Sequence, residues 1–120
     1  MYKIILTEED MLNEKHFPVI ALVNEACNSD ILTFIQNLIN RIGSGYNYTT
    51  CTFWDELDDY EKTVVPKYDG LFVETENGEE TEISFTDLQH YLELAIERLS
   101  ETNSQALIDE KMNELRNTLQ

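Results

Sequence analysis

The sequence predicts an α+β domain in which an antiparallel sheet of about four strands carries helices packed on one face. Three observations lead there. Apolar residues recur at helical spacing in separate segments, and short β-branched or aromatic runs flank glycine-containing turns. No internal repeat and no Pro/Gly/Ser-rich linker divides the 120 residues, so they read as a single domain. A chain of this length can bury roughly two-thirds of the surface its unfolded form exposes.

Residues 2–6 read as a short strand closed by the polar turn Glu8-Glu9-Asp10. Phe17-Pro18 and the following run 19–23 fit either a buried strand or a helix, and Pro18 at a first helical turn favours the helix. Ile31, Phe34, Ile35, Leu38 and Ile42 form the stripe of an amphipathic helix. Ser29 or Asp30 would cap its start, and Gly43 would end it in the left-handed position. Residues 46–53 read as a strand rich in aromatic and β-branched side chains.

The segment 55–61 places five carboxylates in seven residues, which excludes a buried strand and leaves an exposed loop or a single helical turn. Pro66 blocks strand pairing ahead of the turn signal Asp69-Gly70. Residues 71–73 and 81–83 flank Asn77-Gly78 as a type I′ hairpin. Glu74, Glu76, Glu80 and Glu82 keep an even spacing, so each strand's pair shares one face. Ser84 and Asp87 open a helix, with Ile83 able to staple onto Leu88. Its stripe is Leu88, Leu92, Ala95, Ile96 and Leu99. After the polar break Glu101-Thr102-Asn103, a last helix presents Ile108, Met112, Leu115 and Leu119 on one face.

Charge is the strongest functional signal. Twenty-four Asp and Glu against eight Lys and Arg give a formal net charge of −16. Eleven of those carboxylates lie within residues 55–82, offset only by Lys62 and Lys67, so this segment carries −9 of the total. With its approach it also holds seven of the twelve aromatics: Tyr46, Tyr48, Phe53, Trp54, Tyr60, Tyr68 and Phe72. Such a surface repels nucleic acid and anionic membrane but attracts a basic protein and offers it aromatic anchors. Phe53 and Phe72 are the better candidates for core among them.

Reaction chemistry finds no support. There is no glycine-rich phosphate loop, no CxxC, no HExxH and no GxSxG. His16 and His90 have no sequence-local nucleophile, and Cys27 and Cys51 lack metal-ligand spacing. The acidic block lacks the glycine and closing glutamate of a helix-loop-helix calcium site, so no metal and no cofactor is expected. The apolar run Ile4-Ile5-Leu6 near the N-terminus is too short for a signal peptide core, which points to the cytoplasm.

The stretch beginning at Tyr46 carries Cys51-Thr52-Phe53-Trp54, Asp58-Asp59-Tyr60, and then Tyr68-Asp69-Gly70-Leu71-Phe72-Val73. An acidic hairpin around Asn77-Gly78, Glu82-Ile83-Ser84-Phe85 opening a helix, and a C-terminal helix pair follow. This pattern, covering roughly the last 75 residues, resembles the ribonuclease-toxin immunity proteins of bacterial contact-dependent growth inhibition. The resemblance implies a small cytoplasmic protein with no catalytic role. Its implied partner is a cognate basic nuclease domain at the C-terminus of a large secreted effector.

The expectation is therefore an immunity protein that occludes an RNase active site or RNA-binding groove. Asp55, Glu56, Asp58, Asp59 and Glu61 would steer and pair with Lys and Arg, with Asp69 and Glu74 extending the acidic surface. Trp54, Tyr60 and Tyr68 would anchor. The alternative is an acidic nucleic-acid mimic or regulatory adaptor that binds a basic protein of the host cell. On sequence, the acidic loop and the glutamate hairpin form two separate surfaces, and only the loop has aromatics beside its charge.

Overall fold

In the computed structural model, which describes residues 2–99 and 105–119, the elements follow the order α1 (Phe17–Asn28), α2 (Ile31–Ile39), β1 (Ser44–Gly45), β2 (Thr49–Thr52), α3 (Asp59–Val64), β3 (Leu71–Thr75), β4 (Glu80–Ile83), α4 (Phe85–Arg98) and α5 (Gln105–Leu119). The strands form one antiparallel sheet in the order β1-β2-β3-β4. This is the α+β class that the sequence predicts.

Strand periodicity sorts the side chains into two faces. The pairs Cys51↔Val73 and Leu71↔Ile83 lie on the inner face, where all four side chains are buried. Helix α1 packs across β2, β3 and β4 there, with Val19, Leu22, Val23 and Ala26 fully buried. Helices α4 and α5 complete the layer, α4 on α1 and α5 on α2. The outer face carries Thr50 and Thr52 from β2, Phe72 and Glu74 from β3, and Glu80 and Glu82 from β4.

The caps follow sequence logic. Asp30 accepts the Thr33 amide at the start of α2, and Ser84 accepts the Asp87 amide at the start of α4. Leu88, Leu92, Ala95 and Ile96 are buried with Tyr91, and Leu99 packs half-buried at the edge of the same cluster. Ile108, Met112 and Leu115 of α5 are buried as well. The polar break 101–103 and the Leu119 side chain lie outside the described residues.

Several local expectations are overturned. Residues 2–6 form no strand. Asn24 and Asn28, one turn apart on α1, take over the main-chain bonding that another strand would supply. The Asn24 Oδ1 accepts the amides of Ile5 and Leu6, and its Nδ2 donates to the Leu6 carbonyl at 2.9 Å. Asn28 bonds both main-chain groups of Lys3 at 2.7 Å. Leu6 is buried in the core and Ile5 packs half-buried against it, while Ile4 stays 71% exposed.

The expected strand over 46–53 shrinks to β2, because 46–48 form the turn that folds it back on Ser44–Gly45. The end of α2 is a Schellman arrangement in which the Ile42 amide donates to the Asn37 carbonyl and the Arg41 amide to that of Leu38. Its left-handed residue is Arg41 (φ 56°), not Gly43. A left-handed non-glycine residue costs roughly 1–2 kcal/mol. Here the guanidinium lies 5.6 Å from the Phe53 ring centroid and 5.2 Å from that of Phe85, contacts glycine cannot make. Gly43 is needed for a different reason, since a Cβ there would collide with the Cys51 carbonyl. Ile42 lies beyond the helix, and is half exposed.

The β3–β4 hairpin turns at Asn77-Gly78 as expected, but not as type I′. That turn needs positive φ at both central residues, and only Gly78 has it (φ 88°). The Gly78 amide donates to the Thr75 carbonyl and the Thr75 amide to that of Glu79, a three-residue loop closed by a glycine bulge.

Candidate functional site

A groove of about 620 Å³ opens between α3 and the outer face of the sheet. Carboxylates of Glu56, Glu61, Glu74, Glu80 and Glu82 line it, and no Lys or Arg does. Between them Leu57, Val65, Pro66, Tyr68 and Phe72 supply apolar surface. The acidic loop and the glutamate hairpin, separate surfaces on sequence, are the two walls of one site.

Each wall follows from local sequence. After β2, residues 54–56 make a single 3-10 turn, and Asp58 then starts α3 by accepting the Glu61 amide at 2.7 Å. Glu61 returns the favour, its Oε1 accepting the Asp58 amide at 3.1 Å. Of the two options the sequence leaves for residues 55–61, the helical one holds: the block runs from a 3-10 turn into the short helix α3. On the opposite wall, register sets Glu74 across from Glu80 and Phe72 across from Glu82. Like charges directly opposite on a ladder are destabilising, and here no described group hydrogen-bonds or ion-pairs with the carboxylates of Glu74, Glu80 or Glu82.

Tyr68 lies at the floor and is 7% exposed. Its hydroxyl donates to the Thr52 carbonyl at 3.1 Å, and its ring meets Phe72 with centroids 5.8 Å apart. Burial, reinforced by the charges of Glu56, Glu82, Glu74 and Glu61, pushes the Tyr68 phenol up to about 12. It stays protonated in a strongly negative field, and as an anchor it contributes a wall rather than a projecting side chain.

The other expected residues divide by environment. Glu56 lines the groove, but its Oε1 accepts the amides of Gly43 and Phe53, each at 2.8 Å, and so latches the 3-10 turn to β1's lead-in. Trp54 is half-buried; its Nε1 donates to the Val65 carbonyl at 3.4 Å, and Lys62 and Lys67 sit 5.1 and 5.7 Å from its ring centroid. The two lysines of the acidic segment are therefore turned to Trp54, not to the groove carboxylates. Asp55 and Asp69 line a neighbouring cleft shared with Arg41 and Lys67. Asp59 and Tyr60 project from α3 outside both cavities, and Tyr60 is 74% exposed. Val64, one turn along, is exposed too, which gives α3 an uncovered apolar pair.

Sequence reasoning missed Phe72, Glu80 and Glu82 as site residues. The sequence favours the core for both Phe53 and Phe72; Phe53 is core, at 1% exposure, but Phe72 lies on the outer face and lines the groove. The even glutamate spacing was the usable signal, and it holds for Glu74, Glu80 and Glu82. Glu76 falls in the turn instead, its amide donating to the Tyr48 carbonyl.

Elsewhere the two cysteines and the buried histidine are committed to structure. Burial pushes the Cys27 and Cys51 thiols up to about 12. His16 is buried with its Nδ1 2.8 Å from the Tyr91 hydroxyl, which also accepts the Leu12 amide. His90 is exposed on α4. Among the described residues, no group of three His, Cys, Asp or Glu is placed to hold a metal ion, and no helix is long and apolar enough to cross a membrane. No family model matches the chain, and no curated protein does either.

Proposed function

We propose that this protein is a binding inhibitor, an immunity protein that neutralises a basic nuclease domain by occupying its RNA-binding or active-site surface in the cytoplasm. The observation that carries this reading is the groove. Five carboxylates and an aromatic floor are gathered without one lining cation, at a cost in self-repulsion that folding alone does not require. A nuclease that grips phosphates with Lys and Arg presents the complementary surface. Charge complementarity accelerates encounter, and desolvated aromatic contacts retain the complex.

The test is the association rate with the cognate nuclease domain, together with protection of RNA from cleavage. Glu80→Lys combined with Glu82→Lys should slow association by more than about tenfold at low ionic strength and much less at high salt. An unchanged rate would remove the groove from the interface. Asp58, the obvious choice on sequence, is a poor probe because reversing it also removes the cap of α3. Asp59→Lys is the cleaner probe for the α3 side.

A further inference from the structure

We propose that the groove receives an arginine side chain of the partner, with its guanidinium stacked on Phe72 and hydrogen-bonded to Glu74 and Glu82. This rests on the reading of the groove as the face offered to a basic protein, and adds which side chain it selects. The sheet register provides the geometry. Glu82 is the cross-strand neighbour of Phe72, and Glu74 lies two residues along the same strand and face. Cross-strand neighbours hold their Cβ atoms about 5 Å apart, and same-face residues of one strand lie about 7 Å apart. Two carboxylates therefore flank one aromatic ring at distances that a planar fork of N–H donors can bridge.

Phe72 is half-buried against Tyr68 and lines the cavity, so it is both fixed and accessible. The carboxylates of Glu74 and Glu82 have no hydrogen bond or ion pair among the described residues; the Thr81 hydroxyl donates to the Glu82 main-chain carbonyl instead. The molecule's own cations do not fill this place. Lys62 and Lys67 lie over Trp54, and Arg41 over Phe53 and Phe85. Arginine suits the site better than lysine for three reasons. Its guanidinium is planar and stacks, it reaches two carboxylates at once, and it is less strongly hydrated than an ammonium.

Two blocked peptides of equal length and charge test this, Gly-Arg-Gly-Arg-Gly and Gly-Lys-Gly-Lys-Gly, titrated into the intact protein at low ionic strength with amide NMR shifts as the readout. The arginine peptide should bind about fivefold to tenfold more tightly and shift Phe72, Glu74 and Glu82. Phe72→Leu keeps apolar cover on the sheet while removing the π face, and should bring the two affinities together. Glu82→Gln, which leaves the ring in place, should weaken arginine binding and reduce the preference. Equal affinities for the two peptides in the unmodified protein, binding of neither, or shifts confined to other surfaces would each overturn the proposal. Protection against the nuclease without an arginine preference would remove this pocket and leave the inhibitory reading standing. An arginine preference without protection would do the reverse.

Discussion

The Glu56 carboxylate accepts two main-chain amides, whereas Glu80 stands opposite Glu74 across the β3–β4 ladder with no hydrogen bond to offset the repulsion. The same side chain in the same groove therefore has opposite effects on stability. Glu56→Ala strands the Gly43 and Phe53 amides and should lower stability by roughly 1–2 kcal/mol. Glu80→Lys turns a like-charge pair into an opposite-charge pair and should raise it by about 0.5 kcal/mol while slowing partner association. Urea midpoints of the two variants check both signs; a destabilised Glu80→Lys would mean that Glu80 has a structural role. The sequence displays both glutamates as equal members of an acidic stretch. It cannot separate them, because whether a carboxylate meets an amide or another carboxylate depends on a neighbour 13 residues away, or on strand register.

Helix α3 is six residues long, too short to persist on its own propensity, and it forms the groove wall opposite the hairpin. Its start rests on the reciprocal Asp58–Glu61 bonds. Asp58→Ala should cost about 1 kcal/mol locally and speed amide exchange at Lys62 and Val65, which donate to the Asp58 and Glu61 carbonyls, with little change in the global melt. Exchange unchanged at those amides would show that packing, not the cap, holds α3. The N-terminal segment is tied down in another way. Arg98 of α4 bonds Asp10 at 2.7 and 2.8 Å and also donates to the Ile5 carbonyl. The Arg98 guanidinium, aided by the Thr7 amide, holds the Asp10 carboxyl down at about 2. Because the folded value lies below the ordinary carboxylate value of about 3.9, this contribution is present above that pH and lost as pH falls towards 2. Asp10→Asn should lower the melting temperature at pH 7, and the gap from the unmodified protein should close between about pH 4 and pH 2. A gap that persists at the acid end would assign the effect to lost hydrogen bonds rather than charge.

At the scale of the molecule, a net charge of −16 with uncompensated carboxylates in one groove should make the fold salt-sensitive. Melting temperature should rise as ionic strength goes from ~0.01 M to ~0.5 M, since the Debye length then contracts from about 30 Å to a few Å. Glu80→Lys with Glu82→Lys should flatten that rise, and an equal rise in that variant would place the repulsion elsewhere. The α+β class, the helix stripes other than Ile42 and the undescribed Leu119 side chain, the cap at Ser84, and the concentration of charge in residues 55–82 were determined by the sequence itself. They depend on periodicity and composition within a few consecutive residues. The tertiary structure decided that residues 2–6 dock on Asn24 and Asn28 instead of joining the sheet, that Arg41 rather than Gly43 turns the chain, and that Phe72 faces out. It also decided that the acidic helix and the glutamate hairpin meet as one groove. Those outcomes turn on contacts between residues distant in sequence, where the register of a sheet and the packing of a helix choose among options that local pattern leaves equal.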